Sequence, residues 1–321
     1  MIKYMEYGPN QGINPYEYQI LSKPIPFSHK RYIFQRVLQN IYMFSTNYPY
    51  LSGDTFQKLV DYTPYGKTGE SKINRKKLRR AKTLFVVGHK LNEFFSEEFS
   101  NINAQILISG NSDQNFDTQI QLPRSIKLWL CQNNSIIDSN IVRTLPVGIE
   151  NIRLANLGFP SNFNQEITNK ILNKVIVTPM SATNLARYKV VEWGEDNQEI
   201  ADVYRRMVPR QDYFKLVSKY KFVLCCEGNG FDSHRVWETL YLNNFPILLK
   251  TNWSSSLEYL NLPILIVDTY NQINQELLVK FYDKWKNFEA INSKVLWIPY
   301  WEDLIKKFIT PTNLRGTGLP V

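Results

Sequence analysis

The chain has 321 residues, with 38 Lys and Arg against 29 Asp and Glu, a formal net charge of +9. Its length sets an expectation of two domains of about 150 residues each. An apolar share of 43 % excludes a disordered chain, and the composition excludes a collagen-like or disulfide-rich one. The basic excess favours an anionic partner, whether a phosphorylated small molecule, a nucleic acid or an acidic membrane surface.

Cys131, Cys225 and Cys226 lie inside apolar runs and read as small buried hydrophobes in a reduced cytosol. No CxxC or HExxH spacing is present. MIKYMEYGPN lacks a signal-peptide pattern, and no apolar run reaches the roughly 18 residues of a membrane span. The expectation is a soluble, cytoplasmic protein.

In chain order, Tyr32 to Phe44 carries apolar residues at helical spacing, and TFQKLVDY after Ser52-Gly53-Asp54 is a second helix candidate. The basic run Lys72 to Lys82 (KINRKKLRRAK) reads as a solvated linker or helix face. TLFVVGH is then a strand, KLNEFFSEEF a helix, and AQILISG, SIKLWLCQN and IVRTLPVGI three further strands. The polar stretch Ser161 to Lys170 marks a boundary, giving domains 1–165 and 166–321. KVIVTPM restarts the pattern as a strand, followed by NQEIADVYRRM and DYFKLVSKY as helices. KFVLCCEG, FPILLK and LPILIVDTY read as strands, SHRVWETLYL and SSLEYL as helices, and NQELLVKFYDKWKNF and YWEDLIKKFI as closing helices. Alternating strands and helices predict two α/β halves with parallel sheets and crossover helices, and a ligand cleft at the carboxyl ends of the strands.

The densest cluster of chemistry is YKFVLCCEGNGFDSHRVWETLYLNNFPILLK. Gly228, Asn229 and Gly230 make a turn at a strand end. Asp232 and Ser233 are N-cap residues for a helix starting near His234. That helix start suits a diphosphate, and Arg235 adds a forked donor. Glu238 shares a face with His234 and Arg235 and has the reach to accept both hydroxyls of a ribose. The plainer reading is a capped helix in which Arg235 and Glu238 only pair with each other.

The run FVLCCEGNGFDSHRVWETLYLNNFPIL resembles the carboxyl-terminal signature of exostosin-type glycosyltransferases. There a strand, a Gly-containing turn, a [HY]R pair and a helical Glu precede a small-residue-Pro strand. FVVGHKLNEFF, ILISGNSD, LWLCQN and LPVGIEN, in that order, resemble the first domain of bacterial and viral members of the group. VIVTPMSATNLARYKV resembles the start of their second domain, so the likeness covers about Thr83 to Asp268. The Glu-Asn-Ser and Thr-Glu-Lys pattern of alpha-1,3 fucosyltransferases is absent.

The resemblance implies a GT-B fold, two Rossmann-like domains whose parallel sheets face a central cleft, with the nucleotide sugar held mainly by the second. It implies a donor-ribose role for Glu238, a phosphate role for Arg235 and for Arg187, a lesser role for His234, and a cleft lining of Thr183 and Asn184. A general base is expected from the first domain. Asp113 is the first choice, with His89 and Glu150 as rivals. Their plainer readings are a turn residue, a helix-start residue and an ion-pair partner. Gly88, Gly110 and Gly148 fit close approach of backbone to ligand, or tight turns.

No DxD motif is present, in keeping with a metal-independent mechanism that requires no cofactor. The expected partners are a nucleotide-sugar donor and a saccharide or lipid-linked saccharide acceptor, with no nucleic acid; the alternatives are a basic nucleic-acid-binding α/β protein and a catalytically silent sugar-binding relative. The basic run also fits a docking face for an anionic membrane, which would place the protein at its inner face. Gly66-Lys67-Thr68 resembles the end of a P-loop, but Asp61 stands at the first glycine position. Trp129, Trp193 and Trp253 read as core residues, with sugar stacking as the alternative.

Overall fold

The computed structural model describes residues 37–39, 41–42, 45–66, 72–96, 102–118, 120–137, 139–165, 169–178, 180, 185–206 and 208–309. Within the Tyr32 to Phe44 segment, residues 37–39 and 41–42 are helical. Lys67 and Thr68, together with Thr183 and Asn184, lie outside the described residues.

The chain is α/β, with two wholly parallel sheets. The first contains β1 (Thr83–Val87), β2 (Ile106–Gly110), β3 (Leu128–Cys131) and β4 (Val142–Thr144), in that spatial order. The second contains β5 (Ile171–Val177), β6 (Ala201–Val203), β7 (Tyr220–Leu224), β8 (Phe245–Leu249) and β9 (Leu265–Val267), in the order β6-β5-β7-β8-β9. Strands such as TLFVV and YKFVL are buried at every position, because parallel sheets are covered on both faces.

The helices are α1 (Gly53–Gln57), α2 (Arg75–Arg80), α3 (Leu91–Ser96), α4 (Leu185–Asp196), α5 (Arg210–Ser218), α6 (His234–Tyr241), α7 (Asn252–Ser255), α8 (Gln275–Trp285) and α9 (Ile298–Ile309). In the second sheet α4 and α8 cover one face, through Val190, Trp193 and Leu278. α5 and α6 cover the other, through Phe214, Val217, Val236, Trp237 and Leu240. This is a doubly wound sheet. The chain leaves β5 for β6 on one side and then returns past β5 to β7 on the other. The strand order therefore reverses between β5 and β7, the place where open sheets of this kind carry a crevice.

Two departures from the sequence expectation concern the sheets. NQEIADVYRRM is not a helix: residues 197–200 turn and Ala201–Val203 pair as β6 with β5. The helix stands one element earlier, as α4, and Asn197 closes it by donating Nδ2 to the Trp193 carbonyl at 2.7 Å. Burial of Ala201, Asp202 and Val203 beside β5 outweighs the helical spacing of the segment. In the first sheet, the described residues linking β2 to β3 and β3 to β4 contain no helix. NSDQNFDTQIQLPRS has no helical periodicity, and its short polar side chains bond local backbone. Ser112 Oγ accepts from the amides of His89 and Gln114, and Asn134 Oδ1 from that of Ile136.

One apolar core runs between the two sheets. It joins Phe85, Val87, Ile108 and Leu130 of the first with Ile176, Val223, Trp237 and Tyr241 of the second half. The carboxyl-terminal α9 packs into it: Trp301 meets Phe56 edge-on at 5.7 Å and donates Nε1 to the Val295 carbonyl at 2.9 Å. Ahead of α9, the Ile298 amide donates to the Pro49 carbonyl at 3.0 Å. Trp129, Trp193 and Trp253 are buried in the structure, which leaves them no face for stacking on a sugar. All three cysteines are buried thiols. No described helix is long and apolar enough to cross a membrane.

The shared core predicts that Trp301→Ala destabilises the whole chain by roughly 3–5 kcal/mol. Residue-resolved hydrogen exchange should show protection in β2 and in β7 falling together; loss confined to the first sheet would mean that the halves unfold independently.

Candidate functional site

The carboxyl edges of the two sheets meet, and the turn between β7 and α6 is the point of contact. Asp113, just beyond β2, accepts from Asn229 Nδ2 at 3.1 Å. Asn115 Oδ1 accepts from the Phe231 amide at 2.8 Å, and Asn133 Oδ1, just beyond β3, accepts from the Asp232 amide at 2.8 Å. Beyond β4, the Val147 amide donates to Asp232 Oδ2 at 2.8 Å, and the Gly148 carbonyl lies 2.7 Å from His234 Nδ1. The loops after three strands of one sheet thus hold one turn of the other.

Two glycines make this approach possible. A Cβ on Gly230 would stand 2.6 Å from Asn133 Oδ1. Gly148 has φ +69°, and a side chain there would overlap the Leu51 carbonyl. The carbonyl that faces His234 depends on that conformation. Since a carbonyl only accepts, His234 carries a proton on Nδ1.

Asp232 is a buried carboxyl, 7 % exposed, and its Oδ1 accepts from Trp237 Nε1 at 2.8 Å. Burial pushes it from 3.8 up to about 7, while the Val147 amide, the Trp237 indole and His234 pull the other way. The helix cap is supplied instead by Ser233, whose Oγ accepts from the Arg235 amide at 3.4 Å.

One turn further along α6, Glu238 is 4 % exposed. Burial raises its pKa, and the charges of His234 and Arg235 oppose the rise. Arg235 and Glu238 converge on a residue that the sequence reading did not single out. Arg235 Nε donates to the Tyr213 hydroxyl at 3.3 Å, and that hydroxyl donates to Glu238 Oε2 at 3.3 Å. Tyr213 lies on α5, 25 positions upstream of Glu238. Its only mark in the sequence is a helical position facing the core.

Arg187 stands in the first turn of α4, across the β5–β7 crevice. It donates Nε to the Glu227 carbonyl at 3.1 Å, and its Nη2 would lie 3.1 Å from a Cβ on Gly228. The starts of α4 and α6 therefore flank the crevice, with an arginine in each first turn. His89 is exposed, and its amide is tied to the Ser112 hydroxyl that also orders the start of the Asp113 loop. Both Glu150 oxygens are engaged, accepting from Asn156 Nδ2 at 3.2 Å and from the Leu157 amide at 2.6 Å. Among the described residues no group of three or more His, Cys, Asp or Glu is placed to hold a metal ion.

The sequence matches no known protein-family description and no curated protein. The class of the chain is defined by its fold and by this site: an α/β protein of two parallel, Rossmann-like sheets whose carboxyl edges meet around a helix start.

The Asp232 carboxyl gives a pH signature. Its pKa is higher folded than unfolded, so the native state binds more protons between about pH 4 and pH 7, and stability falls as pH rises through that window. Relative to Asp232→Asn, the wild type should lose on the order of 4 kcal/mol across it. Urea midpoints at pH 4, 5, 6, 7 and 8 check the slope. Parallel curves for the two proteins would place the titration elsewhere.

Proposed function

We propose that the chain is a GT-B glycosyltransferase, moving a sugar from a nucleotide-diphosphate donor to a saccharide or lipid-linked saccharide acceptor in glycan synthesis. What carries the reading is the convergence at the β5–β7 crevice of two helix starts, each with an arginine, opposite the exposed Asp113 carboxylate of the other sheet. Helix amides and guanidinium groups are the chemistry that receives a diphosphate.

In this mechanism the donor diphosphate lies against the starts of α4 and α6, between Arg187 and Arg235, and Glu238 accepts the ribose hydroxyls. Asp113 is the general base: it takes the acceptor hydroxyl proton while that oxygen attacks the anomeric carbon. The new C–O bond forms as the bond to the diphosphate oxygen breaks, inverting the centre. The departing negative charge is received by the arginines and the backbone amides, without a metal ion. Asp113 is preferred over Glu150 because both Glu150 oxygens already serve the 156–157 loop. It is preferred over His89 because its carboxylate touches the donor turn through Asn229.

A thermal-shift panel of UDP, GDP, CMP and dTDP, each with and without its sugars, tests the reading. One nucleotide should stabilise the protein, by about 2.7 kcal/mol at a hundredfold excess over Kd. Glu238→Gln should reduce the shift, leaving weaker but measurable binding. A flat panel would overturn the donor assignment. With the donor named, Asp113→Asn should retain nucleotide binding and lose transfer by roughly 10²–10⁴-fold. Wild-type turnover in that variant would move the base to another residue, and nucleotide binding without turnover in the wild type would mark a silent sugar-binding protein.

A further inference from the structure

We propose that Tyr213 is a positioning residue of the donor site, its hydroxyl ordering Arg235 and Glu238 into one hydrogen-bonded chain in which the phenol hydrogen is given to the buried Glu238 carboxyl. The inference rests on the donor reading of those two residues and adds a third, from a different helix.

The direction of the chain is fixed by what each group can do. A guanidinium N–H only donates, so Arg235 Nε occupies a lone pair of the Tyr213 oxygen at 3.3 Å. A phenol has one hydrogen, and the Glu238 Oε2 acceptor lies 3.3 Å away. The hydroxyl therefore receives from the cation and gives to the carboxylate. The ring has little freedom to do otherwise. Tyr213 is buried, meets Phe214 edge-on at 5.1 Å, and Phe214 in turn meets Phe163 at 5.2 Å.

The groups facing Glu238 come from every element around it. His234 and Arg235 lie on its own helix, Glu150 follows β4, Tyr213 belongs to α5, and Cys225 follows β7. Burial and Glu150 favour the protonated carboxyl, while His234, Arg235 and the Tyr213 hydrogen bond favour the carboxylate. A protonated Glu238 would offer one fewer acceptor lone pair to ribose hydroxyls, so the phenol supports the acceptor chemistry without touching the ligand.

Tyr213→Phe removes one oxygen and keeps the ring, and it separates this role from simple packing. The side-chain carboxyl carbon of Glu238 is followed by carbon NMR against pH, with Glu238→Gln used to assign the signal. The midpoint should rise by about one pH unit in Tyr213→Phe. It should fall when a fluorinated tyrosine, of similar shape and stronger as a donor, is placed at 213. Nucleotide affinity should weaken roughly tenfold in Tyr213→Phe, and this loss should vanish in the Glu238→Gln background. An unchanged midpoint in both 213 variants overturns the proposal whatever the nucleotide data. A shifted midpoint in a protein that binds no nucleotide overturns the donor reading, and leaves the Tyr213–Glu238 coupling standing as a structural one.

Discussion

The constraint on which the rest depends is the fastening of the 229–234 turn to the loops of the other sheet. Asp232 sits at its centre. One oxygen accepts from a backbone amide after β4, the other from Trp237 of its own helix, and its amide donates to Asn133 after β3. A buried carboxylate with fewer donors would cost several kcal/mol, so the turn and the loops are stable only together. α6 has eight residues, too few to persist alone in water, and its position is set by what holds its ends. At the far end, Lys170 donates to the Leu242 carbonyl at 2.7 Å and Lys221 to that of Asn243 at 2.7 Å, which satisfies two carbonyls left open where the helix stops.

The last residue of α6 is held just as firmly. The Tyr241 hydroxyl donates to the Leu296 carbonyl at 2.6 Å and accepts from the Leu51 amide at 3.0 Å. The same ring lies 4.8 Å from Tyr50, 5.5 Å from Trp297 and 5.5 Å from Phe163. One side chain thereby joins the segment before β1, the linker between the sheets and the lead into α9. A helix anchored at both ends is pre-organised, its side chains already ordered before anything binds. The shared core also makes the relation between the halves a property of packing, so motion between them would have to open apolar surface as well as polar bonds.

How much of this was legible in sequence divides along physical lines. The strands were, because a parallel strand buried on both faces is an unbroken apolar run, as in TLFVV and YKFVL. The strand–turn–helix around Gly228 to Glu238 was, because caps and glycines act locally. β6 was not: ADV is three residues long, and only its place beside β5 makes it a strand. Asp232 was read as a cap, but a cap and an acceptor for a distant amide look alike in sequence, and Ser233 took the local task. Tyr213 carried no signal because its role exists only where α5 and α6 cross. The basic run divides as the sequence suggested: Leu78 is buried, while Arg75, Lys76, Lys77, Arg79 and Arg80 are exposed on α2.

The choice of cap also bears on what the site can receive. If Asp232 had capped α6, a carboxylate would lie on the first amides and cancel the positive end of the helix before any ligand arrived. Instead that carboxyl is turned toward Val147 and Trp237, and burial brings it up to about 7, so near neutral pH its negative charge is only partly present. The cap that remains is a neutral serine at 3.4 Å, a long bond to a single amide. Arg235 then stands in the first turn of a helix capped by a neutral side chain, with Arg187 across the crevice. Asp232 thus fastens the two sheets instead of capping α6, and on the proposed donor reading this keeps its carboxyl off the diphosphate.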